Sequence, residues 1–158
     1  MSEEITLRPA RESDHEFLVA VYASTRAPEM ERVPWSPEQK DAFVRMQYTA
    51  QTSHYAAEFP QGTHEVICAG EVPVGRLYLV RAENEFKILD VAVLPEYRRR
   101  GTGSMVVRRI QDEARQAGKP VTVYVETFNP SLQLFRELGF HTAAEHGFQL
   151  LLRWEPAG

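Results

Sequence analysis

The sequence of 158 residues contains a single cysteine, Cys68, and no apolar run close to the length of a membrane span. One cysteine cannot form an internal disulfide, and a transmembrane helix needs about 20 consecutive apolar residues. The first residues, Met-Ser-Glu-Glu, are acidic and lack the basic-then-apolar form of a secretory signal. These absences predict a cytoplasmic protein that does not enter a membrane.

Metal binding and nucleic-acid binding also have little support in the composition. The five histidines show no ligand spacing such as His-Glu-x-x-His. The formal net charge is −4 and the arginines cluster in one loop, so the broad basic face that nucleic-acid binding requires is missing. We therefore expect no metal and no nucleic-acid partner. The length and the ordinary hydrophobic content of 43% predict one domain, 1–158, with its own core.

What the sequence does have is a distinctive stretch between Phe86 and Ala117. Phe86–Leu94 is a short apolar and β-branched run, which is typical of a strand, and Pro95 ends it because proline has no N–H for a strand ladder. Apolar residues recur at helical spacing after position 105. The residues between strand and helix include Arg98, Arg99, Arg100, Gly101, Thr102, Gly103 and Ser104. The pattern predicts a strand, a basic glycine loop and a helix.

Such a loop favours an anion site. The first N–H groups of a helix have no partner within the helix and lie at the positive end of its dipole. Glycine at 101 and 103 lets a ligand approach the backbone, so we expect a phosphate or pyrophosphate. A Walker-type loop is absent, and Val106 stands where a dinucleotide fingerprint needs its third glycine. The alternative is a basic surface turn that ends in glycines.

The whole chain predicts the element order β-α-α-β-β-β-α-β-α-β-β, an α/β fold with mixed strand directions. Besides Phe86–Leu94, the predicted strands are Ile5–Arg8, Glu65–Ala69, Val72–Val80, Val121–Val125, Phe140–Ala144 and Phe148–Trp154. A short helix is expected over Pro130–Leu138.

The first two helices have recognisable starts. Ser13 and Glu16 predict a capping box for the first, which is expected to end before Pro28. Ser36, followed by Pro37 and Gln39, predicts the start of the second. The expected buried stripe of the second helix is Phe43, Met46, Ala50 and Ala57.

Two motifs resemble one family, the GNAT-type N-acetyltransferases. Arg98, Gly101 and Gly103 fill a pattern similar to the acetyl-CoA loop of that family, Arg/Gln-x-x-Gly-x-Gly/Ala. The segment from Asn129 to Phe140 resembles its Asn-Pro-x-x-x-Leu-Tyr-x-x-Leu-Gly-Phe segment, and the element order is similar too. The resemblance implies a mixed sheet of about seven strands with helices on both faces, with acetyl-CoA as co-substrate and a primary amine as acceptor.

The same resemblance implies which residues bind acetyl-CoA. The loop 98–104 would hold the pyrophosphate through backbone N–H groups. Val91, Ala92 and Val93 would pair with the pantetheine arm, because the sheet of the family opens beside this strand. A backbone N–H there would also stabilise the oxyanion. Asn129 would bond the pantetheine arm, although an asparagine before a proline also suits a helix cap.

The acceptor amine must lose a proton before it attacks, so a base or a water chain is required. Glu126, Asp90 and Glu85 are candidates, and we favour Glu126; the alternative for each is a solvated charge at a strand end. The family usually protonates the leaving thiolate with a tyrosine of the short helix. Phe135 stands there and cannot donate a proton, although its ring can pack on the pantetheine end.

We therefore expect direct acetyl transfer from acetyl-CoA to a small-molecule or peptide amine, in a protein that family habit makes a homodimer. Phe135 favours an alternative, a non-catalytic acyl-CoA-binding or sensing module. A third interpretation is transfer of longer acyl groups. Tyr48, Tyr55 and Trp35 are candidates for an acceptor pocket, although aromatics at helical spacing commonly belong to the core.

Overall fold

The computed structural model of the chain describes residues 4–157 and contains one mixed sheet of seven strands with four α-helices. The strands are β1 (Ile5–Pro9), β2 (Thr63–Ala69), β3 (Val72–Arg81), β4 (Phe86–Val93), β5 (Val121–Glu126), β6 (His141–His146) and β7 (Gln149–Trp154). The helices are α1 (His15–Met30), α2 (Pro37–Glu58), α3 (Thr102–Ala117) and α4 (Ser131–Glu137). The predicted element order is confirmed.

The strands lie in the order β1-β2-β3-β4-β5-β7-β6. All neighbours are antiparallel except β4 and β5, which are parallel and are connected by the crossover through α3. Two hydrophobic clusters lie on the sheet. The larger joins the sheet to α3 and α4, and the smaller joins it to α1 and α2. The prediction of a mixed sheet with helices on both faces is confirmed.

The prediction for α1 is wrong at both ends. Ser13 lies in a single 3-10 turn, and the helix begins only at His15. Asp14 precedes the helix, and its carboxylate holds the 3-10 turn instead: it accepts from the Arg11 N–H at 2.8 Å and pairs with Arg8 at 2.8 Å. The hydrogen bond from Arg8 lowers the pKa of Asp14 to about 2. At the other end α1 continues through Pro28 to Met30, so the proline removes one backbone hydrogen bond without ending the helix.

The start of α2 is confirmed, whereas its predicted buried stripe is wrong. Ser36 Oγ accepts from the Gln39 N–H at 3.2 Å and Gln39 Oε1 accepts from the Ser36 N–H at 2.9 Å. Met46, however, is 60% exposed. Ala50 and Ala57 are exposed as well, and Phe43 is half-buried. The face toward the sheet is instead the one that carries Val44, Tyr48, Gln51, Thr52 and Tyr55.

The sheet opens between β4 and β5. Their pairing ends at Ile88 opposite Val123. On its other side β4 has a bulge at Leu89, because its register with β3 jumps from Ile88 to Asp90. Beyond this point β4 is paired only with β3, and β5 only with β7. The two strand ends therefore diverge and leave main-chain groups free on both sides of a wedge-shaped gap, which we call the opening.

Candidate active site

The last residues of β4 form one side of the opening. Val91, Ala92 and Val93 pair with β3 on one edge and have no strand partner on the edge that faces β5. All three are half-buried. An extended ligand rich in amide groups can add to such an edge as if it were another strand. The structure thus places the three residues predicted for the pantetheine arm where a free edge exists.

Gly75 of β3 makes this end of β4 possible, and sequence reasoning missed it. A Cβ at Gly75 would lie 2.3 Å from the Ala92 carbonyl oxygen, which is far inside contact distance. The position is paired with Val93. Any larger residue would push the end of β4 out of place. The signal in the sequence was a glycine inside an otherwise apolar strand, which often marks a close backbone approach.

The loop after β4 is held by its own arginines. A single 3-10 turn, Pro95–Tyr97, follows the strand. Arg98 Nε then donates to the Val93 carbonyl at 2.9 Å, which folds the loop back onto the end of β4. Arg100 lies over the Tyr97 ring, 5.3 Å from its centroid. Arg99 has a positive φ of 65°, an uncommon conformation for a residue with a side chain.

The helix that follows begins without a side-chain cap. Gly101 precedes α3 in the left-handed conformation, with φ 79° and ψ 5°, and among residues 4–157 no side chain caps the first turn. The first backbone bond runs from the Met105 N–H to the Gly101 carbonyl at 2.9 Å. The N–H groups of Thr102, Gly103 and Ser104 therefore remain available at the positive end of the helix dipole. The residues present fit a pyrophosphate at this point, directly after the free edge of β4.

Asp90 lies at the opening on the face that α1 and α2 cover, and it is part of a buried polar network. Its centre is Arg76 of β3, which is completely buried. Arg76 donates to Asp90 at 2.9 Å, to Gln51 at 2.8 Å, to His64 at 3.0 Å and to Thr52 at 3.2 Å. Burial raises the pKa of Asp90, although Arg76 opposes this. Burial and the charge of Arg76 also lower the pKa of His64 to about 4.

Glu126 lies at the end of β5, on the other side of the opening. Its Oε1 is 3.9 Å from Arg26 Nη1 of α1. Arg26 also donates to Glu29 at 3.1 Å and to the Tyr22 hydroxyl at 3.2 Å. Sequence reasoning missed Arg26, because the contact joins α1 to a strand that is distant in sequence. The structure thus brings Glu126 close to a cation that belongs to a different element.

Glu85, the third candidate base, is far along the strands from the opening. It precedes β4 and accepts from the Thr122 hydroxyl at 2.5 Å. Thr122 pairs with Lys87 in the closed part of the sheet. Glu85 is thus a poorer candidate for the base than Glu126 or Asp90, because β4 and β5 diverge only after Ile88.

The three aromatic residues predicted to line an acceptor pocket, Tyr48, Tyr55 and Trp35, make contacts within the protein. Tyr55 donates from its hydroxyl to the Leu89 carbonyl at 3.1 Å and so holds the bulge of β4. Burial raises the pKa of Tyr55 to about 12, so this donor stays protonated. Tyr48 is buried in the core, and Trp35 packs edge-on against Phe43 at 5.2 Å. Tyr48 therefore offers little exposed surface to an acceptor.

Two residues near α4 complete the predicted set. Phe135 is 1% exposed and packs edge-on against Phe140, with ring centroids 5.2 Å apart. This burial supports a core role rather than the predicted contact with the pantetheine end. Asn129 Oδ1 accepts from the Ser131 N–H at 2.9 Å, so the capping alternative is observed. Its amide nitrogen has no protein partner among the described residues, which leaves a donor for a ligand.

Two features are absent from the part of the chain that the structure describes, residues 4–157: a metal-binding cluster and a membrane-spanning helix. No group of three or more histidine, cysteine, aspartate or glutamate side chains there is arranged to hold a metal ion. No helix in the same range is long and apolar enough to cross a membrane.

The sequence and the fold were compared with those of known proteins. Residues 20–140 match the family model described as acetyltransferase (GNAT) family. The search of curated proteins returned no match. Among solved structures, the PaiA N-acetyltransferase from Thermoplasma acidophilum, in complex with coenzyme A, is similar with a TM-score of 0.73 and 16% identity over 96% of this chain and 99% of that one.

Two other structures are similar over nearly their full lengths. The ribosomal-protein-S18-alanine N-acetyltransferase from Escherichia coli has a TM-score of 0.68 and 14% identity, covering 98% of this chain and 96% of that one. An acetyltransferase from Thermus thermophilus has a TM-score of 0.70 and 16% identity, covering 98% of this chain and 99% of that one. At these identities the likeness is one of fold, whereas the family model spans most of the sequence. The chain therefore belongs to the GNAT family of acetyltransferases.

Proposed function

We propose that the protein transfers an acetyl group from acetyl-CoA to a primary amine, by direct attack of the amine on the thioester. The observation that carries this proposal is the continuity of one surface: the free edge of β4 leads directly into the uncapped start of α3. An extended amide-rich arm fits the first part and a pyrophosphate fits the second. The family membership supports an acyl-CoA co-substrate.

On this proposal Val91, Ala92 and Val93 bind the pantetheine arm. The loop 98–104 holds the pyrophosphate through the N–H groups of Thr102, Gly103 and Ser104. Arg98, Arg99 and Arg100 add positive charge around it. A free N–H at the end of β4 also stabilises the negative charge that develops on the thioester oxygen, which is commonly the largest catalytic contribution.

Glu126 is our proposed general base, and Asp90 is the second candidate. Glu126 is one-third exposed at the opening, so it can exchange its proton with solvent. Asp90 is tied to Arg76 through one carboxylate oxygen. A base must lie within hydrogen-bond reach of the amine or reach it through one water, and both carboxylates lie at the opening. Asn129 is proposed to bond the pantetheine arm with its free amide nitrogen.

Phe135 is the reason to retain a second candidate function, a non-catalytic acyl-CoA-binding or sensing module. Its ring is buried and cannot protonate the thiolate. The thiolate of coenzyme A is a good leaving group near neutral pH, so transfer does not depend on this proton. We therefore place the enzyme first and the sensing module second.

The acceptor does not follow from the similar structures. Of the three compared above, only the name of the Escherichia coli enzyme states an acceptor, an alanine of ribosomal protein S18, and a shared fold does not transfer a substrate. We also propose that the chain is one domain over 1–158, acts as a homodimer in the cytoplasm and needs no metal. The single cysteine supports a reducing compartment, and family habit supports the dimer.

Isothermal calorimetry with acetyl-CoA and with coenzyme A tests the binding part, and thiol release against a panel of primary amines tests the transfer. We expect micromolar or tighter binding of both ligands and release with one class of amine. Failure to bind would overturn the proposal for the loop 98–104. Binding without release from any amine would favour the sensing module.

A further inference from the structure

We infer that the acceptor is the amine of an extended polypeptide, which lies against three exposed aromatic residues beside Glu126: Tyr124, Phe128 and Phe148. We call these three residues the aromatic rim. The inference rests on the acetyl transfer proposed above and names its class of acceptor.

The aromatic rim surrounds the end of β5. Tyr124 is two residues before Glu126 and Phe128 is two residues after it. Phe148 lies in the turn between β6 and β7, and its carbonyl accepts from the Thr127 N–H at 2.8 Å, which holds this turn against the end of β5. Tyr124 and Phe128 therefore flank the proposed base along the chain, and the turn of Phe148 joins them from a second segment.

All three residues of the rim are exposed to an unusual degree for their size. Tyr124 is 55% exposed, Phe128 64% and Phe148 76%. On the face that carries Glu126, α1 packs over β3 and β4 and reaches β5 through Arg26, while Tyr124 stays exposed. A group of large exposed apolar side chains on a soluble protein marks a contact surface. Because the aromatic rim lies next to Glu126, the proposed base, we expect the acceptor to contact it.

The free edge of β5 favours a chain over a small molecule. Small-molecule sites are concave and enclose most of the ligand. Two cavities among the described residues, of about 290 Å³ each, lie beside His15 and His64 and beside Asn129 and Gln133, and neither is lined by Glu126 or by the rim. The edge of β5 from Tyr124 to Glu126 has no partner toward β4. Its main-chain groups can pair with a peptide but offer nothing to a simple alkylamine.

A second copy of this chain is a poorer occupant because the rim is small. Aromatic side chains bury about 150–250 Å² each, so the exposed fractions correspond to roughly 400 Å² of surface. A stable protein interface buries about 800 Å² on each partner. The rim is about half that size, which suits a few residues of an extended peptide.

The charges at the opening favour an amine flanked by apolar rather than acidic residues. Asp90 is paired with Arg76, while Glu29 and Glu126 share Arg26. These five groups sum to one net negative charge, which attracts the ammonium form of the acceptor. The peptide we propose therefore carries a free amine beside leucine-like side chains that contact the rim.

Matched peptides test this inference. We would measure kcat/KM for six-residue peptides that carry the same reacting amine, either the α-amino group or one lysine, and differ only in leucine or glycine neighbours. Free lysine and n-butylamine serve as small amines. We expect at least a tenfold preference for the leucine peptide over both the glycine peptide and the small amines. We also expect Phe128→Ala and Phe148→Ala each to raise the KM of that peptide about tenfold, since central aromatic contacts contribute most to such interfaces.

The matched control is Met46→Ala, which removes an equally exposed apolar side chain on α2, away from the opening. It should leave the KM and the calorimetric affinity for coenzyme A unchanged, and the two phenylalanine variants should also keep that affinity. Equal kcat/KM for leucine peptides and small amines would overturn the inference while leaving the acetyltransferase intact. A dimer in light scattering that dissociates in Phe148→Ala would overturn it by assigning the rim to a second copy. Failure to bind acetyl-CoA at all would instead overturn the proposed function.

Discussion

Arg76 and Asp90 form an ion pair inside the protein, with Arg76 Nη1 2.9 Å from Asp90 Oδ2 and the arginine fully buried. Around the pair, Gln51, Thr52 and His64 accept the remaining hydrogen bonds of the guanidinium. The network joins α2, β2 and β3 to the first residue of β4 beyond the bulge. It therefore ties the start of the free edge of β4 to the helix and strands beside it.

Asp90→Asn should destabilise the fold by about 3–5 kcal/mol, because it leaves a buried guanidinium without its counter-charge. Urea unfolding measures this loss. Glu155→Gln is the matched control, since Glu155 accepts from Arg153 at the same distance, 2.9 Å, but in an exposed pair. That change should cost at most about 1 kcal/mol. Similar losses in the two variants would show that burial does not strengthen the Arg76–Asp90 pair.

Glu126→Gln should lower kcat by about 10²- to 10⁴-fold, because the amide cannot take a proton from the attacking amine. The affinity for acetyl-CoA, measured by calorimetry, should not change. Glu85→Gln provides the comparison: Glu85 bonds Thr122 in the closed part of the sheet, so its kcat should stay within about twofold of wild type. A normal rate for Glu126→Gln would transfer the role of base to Asp90 or to water.

Local patterns were sufficient to predict most of the fold. The central strands are short runs rich in apolar and β-branched residues, α3 has apolar residues at helical spacing, and Pro95, Gly118 and Pro120 mark their ends. Helix α2 was harder because its apolar residues do not mark its buried face. The exposed Met46 and the inward Gln51 and Thr52 make sense only with Arg76, a buried cation of a distant strand that needs acceptors.

The site was predictable to the extent that it depends on one continuous segment. The loop 98–104 and the edge 91–93 are contiguous in sequence, so a motif could indicate them. Arg26, Gly75 and Tyr55 contribute through contacts between elements, with Glu126, Ala92 and Leu89 respectively. Such contacts depend on the sheet order and on the position of the bulge, which no local pattern contains.

Gly101→Ala and Gly103→Ala should have opposite effects on stability. Gly101 has a φ of 79°, so alanine there should cost about 1–2 kcal/mol and weaken coenzyme A binding by distorting the loop. Gly103 lies inside α3, where a Cβ would be 3.6 Å from Leu134 Cδ2, an ordinary contact. Alanine there should add about 0.5–1 kcal/mol of stability. Denaturant unfolding measures the stability of both variants, and calorimetry measures their affinity for coenzyme A. Normal coenzyme A binding by Gly101→Ala would contradict the loop geometry.

His64 should make stability depend on pH in a defined window. Its pKa is about 4 in the fold, against the ordinary 6.5 in the unfolded chain. Between these values the unfolded state binds more protons, so the free energy of unfolding should rise with pH from about 4 to 6.5 and fall on acidification. His64→Gln keeps an acceptor for Arg76 Nε but does not titrate. We expect a flatter pH dependence for this variant in urea unfolding across that range, whereas His54→Gln, on the exposed side of α2, should follow wild type.

Phe135→Tyr tests whether a tyrosine hydroxyl at this position would protonate the leaving thiolate and speed the reaction. The Phe135 ring is 1% exposed and packed against Phe140, so a new hydroxyl would enter an apolar core without a partner. An unsatisfied buried hydroxyl costs about 1–3 kcal/mol, and we expect that loss in urea unfolding with no gain in kcat. Phe140→Tyr, also buried in this cluster, should cost a similar amount and likewise leave the rate unchanged. A rise in kcat of tenfold or more for Phe135→Tyr alone would show that position 135 reaches the leaving thiolate, and that proton donation limits the wild-type rate.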